Sequence, residues 1–134
     1  MSTIKSFEEL DVWKLAVELA VNIYKLTASF PKEERFGLVD QLRRAVASIS
    51  ANIAEGFGRY HYKDCVKFLY NARGSLFEAR SHLLVANKLG FISPNDKDTY
   101  EQSLKDLKNL SVKLNNFISV IMKRSKFSEH VTME

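Results

Sequence analysis

The sequence predicts an all-α protein, one antiparallel up-down-up-down four-helix bundle, on three observations. Apolar residues recur at three- and four-residue steps along nearly the whole chain. Only 2 prolines and 5 glycines interrupt its 134 residues, too few for a turn-rich, sheet-rich fold. The periodic stretches are joined by short connections, which force sequence neighbours to lie side by side. A chain that is 46% hydrophobic buries a core without metal or disulfide staples. The expected organisation is one domain over residues 1–124 and a flexible tail, residues 125–134, where no period survives.

Helix one is expected to begin at Ser6, because Ser6 followed by Glu9 has capping-box spacing, and to end at Phe30-Pro31, since a residue before proline leaves helical geometry. It carries two apolar stripes, one through Trp13, Val17, Ala20 and Tyr24 and one through Ala16, Leu19, Ile23 and Leu26. So wide a face asks for cover on more than one side. Helix two buries Leu42, Val46, Ile49 and Ile53. Beside that stripe runs a row of mostly small residues, Gln41, Ala45, Ser48, Asn52 and Gly56, along which a neighbouring helix can approach closely. After a turn through Arg59-Tyr60-His61-Tyr62, helix three follows Leu69, Ala72, Leu76, Ala79 and Leu83 to a left-handed cap at Gly90, with Phe91 folding back on the last turn. Ser93-Pro94, with Asp96 three residues after the cap, starts helix four, whose core stripe includes Leu107, Leu114 and Ile118.

Little in the chain points to catalysis. A bundle di-iron centre needs a Glu-x-x-His step on each of two helices, and Glu78 and His82, four apart, have no second pair to complete it. His61 and Cys65 have the spacing of half a zinc site or of a base and thiolate, without further ligands or an orienting acid. Gly56-Phe57-Gly58 follows a helix, not a strand, so it is no phosphate loop. No enzyme activity, cofactor or metal is expected. Cys65 has no partner cysteine, Glu8, Glu9 and Asp11 break the N-terminal run a signal peptide needs, and no run approaches the ~20 apolar residues of a membrane span. A cytoplasmic protein without membrane contact is expected.

The net charge of +4 is unevenly placed. Arg43, Arg44, Arg59, Lys63, Lys67 and Arg73 cluster on helices two and three, with Tyr60, His61 and Tyr62 available to stack on bases. Arg44 and Arg59, near the small row, are expected as structural hydrogen-bond donors, and Lys63, Lys67 and Arg73 as exposed phosphate contacts. These residues are the candidate nucleic-acid site for RNA or DNA. The alternative is a solvated face on a protein-interaction scaffold, laced with weak ion pairs.

The motif residues Gly37-Leu38, Gln41, Arg44-Ala45, Ser48-Ile49, Asn52-Ile53-Ala54-Glu55-Gly56 and Arg59 resemble the signature of the bacterial four-helix-bundle proteins named after intervening sequences in 23S ribosomal RNA genes. Phe7, Trp13, Phe30-Pro31, Ala72-Arg73-Gly74-Ser75-Leu76 and Leu89-Gly90 extend the resemblance over most of residues 7 to 121. It implies a bundle assembling as a ring-shaped homopentamer. The accessory variability protein of diversity-generating retroelements, a basic pentamer associating with nucleic acid and a reverse transcriptase, is similar. The resemblance implies no catalytic activity, and it makes the small row of helix two a place for contacts supporting subunit association. Tyr62 departs from the small cap residue often found before helix three, and Arg80 and His82 fall in a variable stretch.

Overall fold

The computed structural model describes residues 4–133, with side chains described through residue 124. Four helices, α1 (Asp11–Thr27), α2 (Leu38–Phe57), α3 (Tyr62–Lys88) and α4 (Lys97–Met133), account for the long elements, with no strand among the described residues. Consecutive helices pack on one another, α4 closes on α1, and α2 and α3 share the largest interface. This is the four-helix arrangement that the periodicity predicts. The expected tail at residues 125–134 lies outside the residues whose side chains are described.

Each helix contributes its predicted stripe to one apolar core. Leu19, Ile23, Leu42, Ile49, Leu76 and Leu107 are among the side chains with essentially no exposure. On α1 the fully buried stripe is the one through Ala16, Leu19 and Ile23, whereas Trp13, Val17 and Ala20 are half-buried and Tyr24 is exposed.

Two helix starts differ from expectation, for a common reason. The capping box at Ser6 is present, with Ser6 Oγ accepting from the Glu8 amide at 3.2 Å and Glu9 accepting from the Ser6 amide at 3.1 Å. It caps a single 3₁₀ turn, Phe7–Glu9, and the chain then extends at Leu10 before α1 begins at Asp11. That break buries Leu10 and brings the Phe7 ring edge-on to Trp13 at 5.2 Å. Likewise Ser93-Pro94 opens a 3₁₀ turn, Pro94–Asp96, and α4 starts at Lys97. Ser93 makes no cap to backbone; its hydroxyl and that of Ser29 both donate to Asp96, at 3.0 and 2.7 Å. In both places side-chain packing or cross-linking of the bundle's end outweighs one more turn of helix. α1 stops at Thr27, before Phe30-Pro31, and Phe30 is buried in the connection that follows. Gly90 has the left-handed φ of 79° expected of a helix cap, and the Phe91 amide donates to Ala86 O at 3.0 Å. The Phe91 ring meets Phe30 at 5.7 Å.

Candidate nucleic-acid interface

The corner between α2 and α3 is built by backbone rules. At Gly58 the amide donates to the Ala54 and Glu55 carbonyls, closing α2. His61 then takes the extended conformation of an N-cap without a side-chain cap bond, which leaves the first amides of α3 open, as at any uncapped helix start. Tyr60 is 92% exposed and meets the His61 ring edge-on at 5.1 Å. Lys63 and Lys67 follow one turn apart, both exposed and with no carboxylate partner among the described residues; Asp64, also exposed, is the acid beside them. Arg59 pairs with Glu55 at 3.1 Å, and its guanidinium lies 4.5 Å from the Phe68 ring centroid.

The other predicted residues do not join this corner. Arg43 turns to α1, donating to Thr27 Oγ1 at 2.9 Å and to Tyr24 O at 3.1 Å, with its guanidinium 4.7 Å from the Tyr24 ring. It satisfies the Tyr24 carbonyl and the Thr27 hydroxyl at the end of α1 and is structural. Arg44, on another face of α2, pairs only with Asp40, and its side chain is 80% exposed, so it is not the structural donor expected. Arg73, expected as an exposed contact, is half-buried, donates to Asn115 at 2.9 Å and covers Tyr70. At about 1.5 Å per residue, the helix separates Arg44 from Arg59 by roughly 22 Å. The predicted set therefore splits, and Arg59, Lys63 and Lys67 are the part that flanks one turn.

The small row of α2 is occupied by α3 of the same chain. A Cβ on Gly56 would lie 3.1 Å from Cys65 O and 3.2 Å from Phe68 Cβ. Ser75 donates to Ser48 at 2.9 Å, and Asn52 donates to Ser48 Oγ at 2.9 Å. Glu78 and His82 form a surface contact at 3.2 Å. The Cys65 thiol is buried, which pushes its pKa up and disfavours the thiolate. Among the described residues no cluster of three or more potential ligands could hold a metal ion, and no helix is long and apolar enough to cross a membrane.

One surface is not apparent in the sequence. Tyr70, Phe77 and Leu84 are 41%, 50% and 41% exposed on the outer face of α3. Their seven-residue spacing is the available signal, but it is also the spacing of the adjacent core residues Leu69, Leu76 and Leu83, which masks it.

Comparison with known proteins matches the model of the 23S rRNA-intervening sequence proteins over residues 8–116. The chain belongs to this family. A crystal structure of a protein of unknown function, from the S23 ribosomal protein family of Bacteroides thetaiotaomicron, superposes with a TM-score of 0.69 at 24% identity. It covers 80% of this chain and 97% of its own. At that identity the likeness speaks for the fold. No curated protein matches the chain.

Proposed function

We propose that this protein is the non-catalytic protomer of a homo-oligomer, a ring pentamer, that binds RNA or DNA through phosphate contacts at the α2–α3 corner. The observation that carries the reading is the pair Lys63 and Lys67, exposed and unpaired beside the open amides of α3 and the projecting Tyr60 ring. Phosphates take such cations and helix starts, and an exposed tyrosine stacks on any base. Arg59 at the same corner lies over the Phe68 ring, and its exposed pair with Glu55, worth about 1 kcal/mol or less, can be exchanged for phosphate. Repetition around a symmetry axis multiplies weak contacts into avidity.

A salt titration with a mixed-sequence oligonucleotide tests the reading. Wild type is expected to lose affinity steeply as salt rises. Lys63→Glu combined with Lys67→Glu is expected to bind RNA and DNA more weakly and with a flatter slope, by about 0.7 to 0.9 for each phosphate that is no longer neutralised. A folded double variant that binds as tightly as wild type at low salt removes this corner from the interface. Wild type that binds nothing at low salt leaves the protein-interaction scaffold, which the exposed outer face of α3 favours.

A further inference from the structure

The outer face of α3 has the form of a helix-packing seam. It is touched at its Tyr70 end by Met122, whose sulfur accepts from the Tyr70 hydroxyl at 3.7 Å, and by the Arg73 guanidinium over the ring, and is exposed beyond it at Phe77 and Leu84. Tyr70, Gly74, Phe77, Ser81, Leu84 and Lys88 alternate four- and three-residue steps, the rhythm of a coiled-coil edge. A Cβ on Gly74 would meet no atom within 4 Å, so nothing in the chain itself requires a glycine in the middle of this helix, where it is destabilising. A bare backbone between Tyr70 and Phe77 serves the close approach of another element.

The same chain exposes a second apolar face. Val21 and Tyr24 of α1 are 48% and 43% exposed, with Val17 half-buried beside them. Arg43 reaches α1, so Ala47 and Ala54, four and eleven residues on, line the same side of α2. Ala47 is exposed and Ala54 half-buried, which gives a groove with apolar walls and a shallow floor of small residues. Large side chains stand on α3 and small ones on α2.

Charge distinguishes the possible pairings. Residues 63–88 carry five lysines and arginines against Asp64 and Glu78, so two α3 ridges face to face repel. Residues 5–18 carry Glu8, Glu9, Asp11 and Glu18 against Lys5 and Lys14; farther along, Lys25 and the Arg43 guanidinium over Tyr24 add cations, so the acidic end of this face is the one at Asp11 and Glu18. Asp11 and Glu18 are without ion-pair partners among the described residues, and so is the exposed Arg80 on α3, whereas Arg73 is already held by Asn115 and the Tyr70 ring. Arg80 is therefore the cation of the ridge free to meet one of these carboxylates.

We propose that the outer ridge of α3 docks into the α1–α2 groove of a second copy of this chain, a head-to-tail contact between two different surfaces. The proposal rests on the oligomer reading above and names the faces that mate. Such contacts close into rings or run on as filaments, because each copy keeps one free ridge and one free groove until the assembly closes.

Light scattering of the full chain, wild type and two exposed-site variants, tests it, with helical content by circular dichroism confirming that each variant is folded. Phe77→Glu spoils the ridge and Val21→Glu spoils the groove. Wild type is expected above the 15.4 kDa of one chain, and each variant alone at 15.4 kDa. Mixed in equal amounts, the variants still possess one good ridge and one good groove between them and are expected at 30.8 kDa, twice 15.4 kDa, and no larger. A mixture that stays at the mass of one chain, or either variant that assembles as wild type does, overturns the proposed pairing while leaving the oligomer reading standing. Wild type at 15.4 kDa overturns both.

Discussion

Two faces of α3 are one residue apart in sequence and opposite in fate. Leu69, Leu76 and Leu83 are buried in the core, whereas their immediate neighbours Tyr70, Phe77 and Leu84 have the same spacing and stand in solvent. A step of about 100° around a helix accounts for the different directions, and the bundle covers only one of them. Hydrophobic content alone therefore does not say which residues hold the monomer together. Burial within the chain does, and what remains apolar outside it asks for a function.

The largest effect that should separate the two faces is truncation. Leu76→Ala removes a side chain packed on all sides and should cost about 2–5 kcal/mol in urea unfolding, the transfer term plus the cavity left behind. Phe77→Ala, half in solvent already, should move the stability of an isolated chain by roughly 0.5 kcal/mol or less. Equal losses from the two variants would show that the outer face is as integral to the folded chain as the inner one.

Two glycines sharpen the comparison at smaller cost. Gly56 lies where α2 and α3 touch, and a branched side chain there meets backbone: Gly56→Val should destabilise by about 1–3 kcal/mol through overpacking against Cys65 O and Phe68. Gly74 faces open space, and Gly74→Ala should stabilise the isolated chain by about 1 kcal/mol through helix propensity. Thermal unfolding of the two variants should shift in opposite directions. A destabilised Gly74→Ala chain would mean that the outer face already has an intrachain partner.

The core of this contrast is legible in the sequence. Every inner stripe follows from periodicity, because burial imposes a period and Leu, Ile and Ala repeat it. The helix starts are less legible: Ser6 and Ser93 have N-cap chemistry, yet each opens only a 3₁₀ turn, since the packing of Leu10 and the cross-links to Asp96 are tertiary facts. Of the candidate site, Lys63 and Lys67 are legible as exposed cations, whereas Arg43 and Arg44 are not separable. They are adjacent in sequence, but one turns to the Tyr24 carbonyl and Thr27 hydroxyl of α1 and the other to solvent. Charge composition records how many cations there are, and only the helix's rotation decides what each one touches.

The smallest expected effect is confined to alkaline pH and reports on the seam between α2 and α3. Burial raises the Cys65 thiol above its ordinary value of 9.0, so above that pH the unfolded chain releases this proton more readily than the native chain. With the native state then holding more protons, stability falls as pH rises from about 9 through the raised native value, and below about 9 the thiol has no effect on the pH dependence. Tyr100, raised chiefly by burial and further by Glu101 against the lowering bond from Asn87, adds a second decline of the same sign above its ordinary value of 10.0. Cys65→Ala should therefore leave the slope of stability against pH unchanged near neutrality and make it shallower between about pH 9 and 10, as read from urea midpoints in that window. A variant whose alkaline slope matches wild type would place the thiol in contact with water, and the close approach of α2 to α3 at Gly56 would then have to be looser than the 3.1 Å spacing implies.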